Sequence, residues 1–188
     1  MLEFWDAPPI KKPSIWLISF KFFILLGFTD PPYKTLEFLY LKFFFKNFLI
    51  NKKIKVSLDN KLKILFCIGE NFKEKRNKKT KIVIKRQING GLKNIKNIKN
   101  IIFAYEPVWS IGTGIIPKLH ELKNNILFIK QLLKKRFKSK NPKVLYGGSV
   151  NPKNIKELRT INQIDGFLIG GASQNSNKFI DIIKKTFN

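Results

Sequence analysis

From residue 47 onward, hydrophobic and polar positions alternate on two length scales: short apolar runs, and longer amphipathic stretches rich in lysine. Residues 63–68 (Lys-Ile-Leu-Phe-Cys-Ile) form a nearly continuous apolar run that stops at Gly69. A strand covered on both faces reads this way, because neither face needs polar residues for water. Residues 101–105, 143–146 and 166–169 repeat the signature, each ending in a turn of Gly, Pro or Ser. Between them lie helix-length segments at about 80–95, 119–137 and 152–158, with 178–187 closing the chain and an earlier helix from about 45 to 58, stopped near Asn60. Strands alternating with helices in units of roughly 30 residues predict repeated βα units and a parallel sheet. The four runs are expected to be adjacent in chain order, joined by right-handed crossovers.

The first 46 residues behave differently. Phe, Leu, Lys and Ile crowd together there without a period of 2 or 3.6, and Asp30-Pro31-Pro32 breaks the run. No element is assigned upstream of about residue 45, and low order or poor packing is expected. Residues 15–28 are apolar, but Lys21 interrupts them and they fall short of the roughly 20 residues that cross a bilayer. Pro8, Pro9 and Pro13 and the lack of a small-residue cleavage site argue against a signal peptide.

Composition changes this picture less than its extremes suggest. The 188 residues carry 37 Lys plus Arg against 12 Asp plus Glu, a formal charge of +25 that would ordinarily point to nucleic acid or an anionic membrane. The basic residues are almost all lysine, however, with arginine only at positions 76, 86, 136 and 159, and they are spread along the chain. Phosphate and base recognition favours the planar, bidentate guanidinium. The excess of Lys, Asn, Ile and Phe fits an AT-rich coding sequence, so neither a nucleic-acid nor a membrane partner is expected. A lone Cys67 makes no internal disulfide, and His120 has no partner at zinc-ligand spacing. No metal and no cofactor are expected, and a reduced cytoplasmic compartment fits.

Parallel α/β proteins hold ligands in the loops at the carboxyl ends of their strands. Those positions read Gly69-Glu70, Glu106-Pro107-Val108-Trp109, Gly147-Gly148-Ser149 and Gly170-Gly171-Ala172. A glycine pair lets backbone N–H groups approach an anion with no Cβ in the way. One such pair is usually only a tight turn, but two on consecutive βα units suggest a phosphate site. Glu106 directly follows a strand and is held extended by Pro107. It is either a solvated surface carboxylate or a general base at the mouth of the sheet. The loop after it, with a rigid start and glycines at 112 and 114, has the make-up of a lid.

Ala-Tyr-Glu-Pro-Val-Trp-Ser-Ile-Gly-Thr-Gly (residues 104–114) closely resembles the signature of the triosephosphate isomerase family. Cys-Ile-Gly-Glu (67–70), Tyr-Gly-Gly-Ser-Val (146–150) and Asp-Gly-Phe-Leu-Ile-Gly-Gly-Ala-Ser (165–173) extend the resemblance in the family's order, and Gln87 fits it too. It covers about residues 47–187. It implies a (β/α)8 TIM barrel of which this chain holds about four βα units, a half barrel, with residues 47–188 as the C-terminal half and 1–46 as an unrecognised or out-of-frame segment. By the same resemblance Glu106 is the base that shuttles a proton between the two carbons of an enediol. Gly112, Ser149, Gly170 and Gly171 would bind the phosphate of a triose substrate, dihydroxyacetone phosphate or glyceraldehyde 3-phosphate, in glycolysis and gluconeogenesis. The family's mechanism adds a neutral histidine electrophile and a loop that closes to exclude water. Its members are homodimers.

Three departures stand out. The family's Asn-Trp-Lys and Gly-His-Ser-Glu-Arg motifs, which bring a substrate-holding lysine and the histidine electrophile, occur nowhere in the chain. Counting back without gaps puts the histidine's place at Thr35-Leu36-Glu37, and the interface loop of the family's dimer is not visible. At the far hinge of the lid, Ile115-Ile116-Pro117 replaces the usual Lys-x-Ala stretch. A frame shift upstream of residue 46 and a decayed gene or half barrel both account for the missing motifs. One other reading stays open, a basic, non-catalytic binding protein; a different phosphate-binding barrel enzyme is countered by the Glu-Pro-Val-Trp motif attached to the lid.

Overall fold

The computed structural model of the chain describes Ser14–Leu17 and residues 47–187. In chain order the elements are β1 (Ser14–Leu17), α1 (Asn47–Asp59), β2 (Ile64–Ile68), α2 (Phe72–Arg76), α3 (Thr80–Gly91), β3 (Ile101–Tyr105), α4 (Leu119–Phe137), β4 (Val144–Tyr146), α5 (Ile155–Leu158), β5 (Gly166–Ile169) and α6 (Ser176–Phe187). Short 3₁₀ turns follow β3 (Val108–Ser110) and β5 (Gly171–Gln174).

The strands form one parallel sheet in the order β1-β5-β4-β3-β2. The expected four are therefore adjacent in chain order, in register Cys67↔Ala104, Ala104↔Leu145 and Tyr146↔Phe167. The fifth strand, β1, was not assigned from the sequence. It pairs parallel with β5 from Ser14↔Gly166 to Leu17↔Ile169. The remaining expectations for residues 1–13 and 18–46 lie outside the described residues.

The strands' two faces pack differently. Ile64, Phe66 and Ile68, with Phe103, Tyr105, Val144, Tyr146, Phe167 and Ile169, join the main core with the helices. On the opposite face Ala104, Leu145 and Leu168 form a second, smaller cluster, with Leu65, Cys67 and Ile102 half-buried beside it. Helix α4 shows why the helices stay in place. Leu122, Ile126, Ile129 and Leu133 recur every three or four residues and are fully buried, which puts one stripe against the sheet. Lys138, in a left-handed conformation, ends this helix.

Polar contacts brace the same packing. The Asp165 carboxylate accepts from the Val144 backbone N–H at 2.7 Å and from Lys130 Nζ of α4 at 2.8 Å, tying helix to sheet. Asn51 Nδ2 donates to the carbonyls of Gly91 and Lys93, and Arg136 donates to those of Ile88 and Leu92, so the open end of α3 has partners.

Two helices are shorter than their sequence pattern suggests. Helix α3 stops at Gly91, where Gly90 and Gly91 and then Asn94 at φ 60° turn the chain. Helix α5 starts only at Ile155, because Asn151 and Asn154 bond to each other's backbone and hold residues 151–154 in a turn. No helix among the described residues is long and apolar enough to cross a membrane.

Candidate active site at the carboxyl ends of the strands

Alternation along β3 decides where Glu106 points. Ile101, Phe103 and Tyr105 face the helices, Ile102 and Ala104 face the other way, and Glu106 continues on the face of Ala104. Its backbone N–H donates to the Ile68 carbonyl at 2.8 Å, extending the ladder by one residue beyond the strand. The residue is 8% exposed. This is a buried carboxylate and not a solvated surface one.

The glycines around it are explained by its bulk. A Cβ on Gly147 would lie 2.5 Å from both Glu106 Cγ and Oε1, and a Cβ on Gly69 would lie 2.0 Å from the Glu106 carbonyl oxygen. Only glycine at the ends of β2 and β4 leaves room for this residue.

Burial pushes the Glu106 carboxyl up to about 7, while a hydrogen bond from the Cys67 thiol works in the opposite direction. The thiol is in turn held well above its ordinary range by burial and by the neighbouring carboxylate, so Cys67 is a donor here and not a nucleophile. A carboxylate poised near neutrality can both take and return a proton at physiological pH. Cys67 was read from the sequence as a sign of redox compartment and as part of the Cys-Ile-Gly-Glu motif, and was given no role beside Glu106. Its place beside Glu106 depends on the register of β2 against β3.

The segment after Glu106 folds back over the strand ends. Val108 N–H donates to the Glu70 carbonyl at 3.0 Å, and Trp109 Nε1 donates to the Glu70 carboxylate at 3.0 Å. Glu70 is 1% exposed and also accepts from Tyr105 Oη at 3.1 Å, so its buried charge has two donors at the root of the loop. Lys75 Nζ lies 3.6 Å from the centre of the Trp109 ring. Beyond Ser110 the loop is exposed, and Gly112 (φ 72°) and Gly114 (φ 78°) take left-handed conformations that other residues rarely adopt.

Ser149 meets this loop directly. Its hydroxyl donates to the Ser110 carbonyl at 2.6 Å and accepts from the Gly114 N–H at 2.9 Å. The hydroxyl is therefore taken up by this loop, and its contacts here are to the loop's backbone. The N–H groups of Gly112, Ser149 and Gly171 donate to no backbone carbonyl among the described residues. Gly170 and Gly171 leave β5 at the same end of the sheet as Ser149 leaves β4, and they lead into a 3₁₀ turn instead of directly into an α-helix. His120 is exposed in the first turn of α4.

The chain is similar to known proteins. The family model described as triosephosphate isomerase matches residues 42–186. The chain belongs to the triosephosphate isomerase family. A triosephosphate isomerase of Thermodesulfovibrio yellowstonii is 42% identical over 146 residues, covering 76% of this chain and 59% of the relative. One from Mycoplasmoides gallisepticum is 42% identical over 142 residues, covering 72% of this chain and 56% of the relative. One from Chloroherpeton thalassium is 39% identical over 141 residues, with 72% and 56% covered. The chain thus spans less than two thirds of the length of these triosephosphate isomerases. Its α/β fold is part of the family's TIM barrel, with β2 to β5 as four consecutive barrel strands.

Proposed function

We propose that this chain carries the proton-transfer half of a triose-phosphate isomerase site. In this reading Glu106 is the base that interconverts dihydroxyacetone phosphate and glyceraldehyde 3-phosphate. The observation that carries the proposal is the buried Glu106 carboxylate with a pKa of about 7, at the root of a glycine-tipped lid. The base removes a proton from the hydroxyl-bearing carbon next to the carbonyl to give an enediolate, the hydroxyl proton passes to the former carbonyl oxygen, and the same carboxyl returns its proton to the former carbonyl carbon. The net change is a shift of hydrogen, with no cofactor consumed. The backbone N–H groups of Gly112, Ser149, Gly170 and Gly171 would hold the phosphate, and the lid would exclude water while the enediolate exists.

The enediolate oxygen needs donors of its own, which the family takes from its lysine and histidine motifs. Loss of one such donor typically costs about 10²- to 10³-fold in rate. The chain as given should therefore turn over slowly. A protein in which a first half carrying Asn-Trp-Lys and Gly-His-Ser-Glu-Arg is supplied, fused or separate, should isomerise dihydroxyacetone phosphate. Near-normal turnover by the 188-residue chain alone, or none after the first half is supplied, would count against this division of labour. The basic charge leaves a non-catalytic binding role as the rival, and a nucleic-acid titration with a steep salt slope would support it.

A further inference from the structure

The altered far hinge of the lid, Ile115-Ile116-Pro117, has a partner on the near side. Ser110 is fully buried, and its Oγ lies 2.6 Å from the Ile115 carbonyl oxygen and 3.2 Å from Tyr146 Oη. A serine hydroxyl has one proton. Given to Ile115, that proton leaves Oγ as the acceptor of the Tyr146 hydroxyl, whose proton burial holds on firmly. The result is a directed chain, Tyr146 O–H to Ser110 O–H to the Ile115 carbonyl. It joins the end of β4, the near hinge and the far hinge in one line.

We propose that the Ser110 side chain is a positioning residue that latches the two hinges of the lid together and onto β4. This proposal rests on reading residues 108–117 as a substrate lid. Two observations carry it independently of each other. The space is shaped for the latch: a Cβ on Gly148 would lie 2.6 Å from Ser110 Oγ and 2.2 Å from Tyr146 Oη. Two further bonds also close on the same residue, because the Ser110 carbonyl accepts from Ser149 Oγ at 2.6 Å and from Thr113 Oγ1 at 3.0 Å. Between the hinges, residues 111–115 have little packing to hold them, being exposed. The hydrogen bonds at the hinges, together with the one from the Gly114 N–H to Ser149 Oγ, are then what set how often the lid opens.

The latch is tested by hydrogen–deuterium exchange on the full chain, which needs no turnover. Ser110→Ala removes the hydroxyl without adding bulk. The hydrogen-bonded lid amides of Ile111, Thr113, Gly114 and Ile115 should exchange about fivefold to tenfold faster, the loss of one net hydrogen bond, while those of β3 and β4 stay unchanged. Tyr146→Phe keeps the bond from Ser110 to Ile115 and should speed lid exchange by less than Ser110→Ala does. Unchanged lid exchange in Ser110→Ala, equal acceleration of lid and strands, or a larger lid effect from Tyr146→Phe would each overturn the latch. A working latch in a protein that never isomerises triose phosphate would instead count against the proposed function alone.

Discussion

Replacing Glu106 by glutamine should change how stability depends on pH, in a direction fixed by the site's burial. The carboxyl has a pKa of about 7 in the folded chain against an ordinary value of 4.5. The folded state therefore holds this proton more tightly than the unfolded state does. Its contribution to stability is fully present below about pH 4.5, and it is lost as pH rises through about 7. The shift corresponds to roughly 3 kcal/mol. Glutamine has nearly the same shape, so Gly147 still accommodates it, but it cannot ionise. Urea unfolding of both proteins between pH 4 and 8 should show wild type losing stability relative to Glu106→Gln by about that amount. The fall should be confined to the window between the two pKa values. A stability difference that stays flat across this window, or that favours wild type more as pH rises, would refute the claim that burial dominates the Glu106 environment.

Other parts of the site make narrower predictions. Gly147→Ala places a Cβ 2.5 Å from Glu106 Cγ and Oε1, and should cost about 1–3 kcal/mol in thermal unfolding as the carboxylate is forced aside. Trp109→Phe removes the indole donor from the buried Glu70 carboxylate and should lower stability in urea by about 1.5–3 kcal/mol, with an unchanged midpoint arguing against Glu70 as the anchor of the lid. Lys130→Met removes the ammonium 2.8 Å from the Asp165 carboxylate, and should destabilise the joint between α4 and β4 by about 1.5–3 kcal/mol in the same assay.

What the sequence made legible follows from the physics of each element. Helix α4 runs over the residues its periodicity indicated, because a stripe of four buried aliphatic side chains repeats without interruption. The four strands begin and end within about a residue of their apolar runs, since Gly, Pro or Ser follows each run closely. The same continuity hid which face each strand residue takes. A run that is apolar throughout carries no alternation, so the pairing of Cys67 with Glu106 had to come from the register Cys67↔Ala104. Helix α2 escaped notice although a signal was present: the Asn71 side chain accepts from the Glu74 N–H while the Glu74 side chain accepts from the Asn71 N–H, a capping box. Strand β1 lies in a stretch where apolar residues crowd without a period, so nothing local distinguishes it. Ser110 stood in the sequence only as one residue of the 104–114 motif, because its partners Ile115 and Tyr146 meet it only in three dimensions.

The central claim is that Glu106 moves a proton between the two carbons of the substrate, and exchange of that proton with solvent tests it most directly. In heavy water, the protein with a first half supplied should incorporate deuterium at carbon into dihydroxyacetone phosphate and glyceraldehyde 3-phosphate. The rate should rise with pH through about 7 as the carboxyl ionises. Glu106→Ala in the same protein should abolish the incorporation. Deuterium uptake at the wild-type rate in Glu106→Ala would contradict the account, because another group would then be the base.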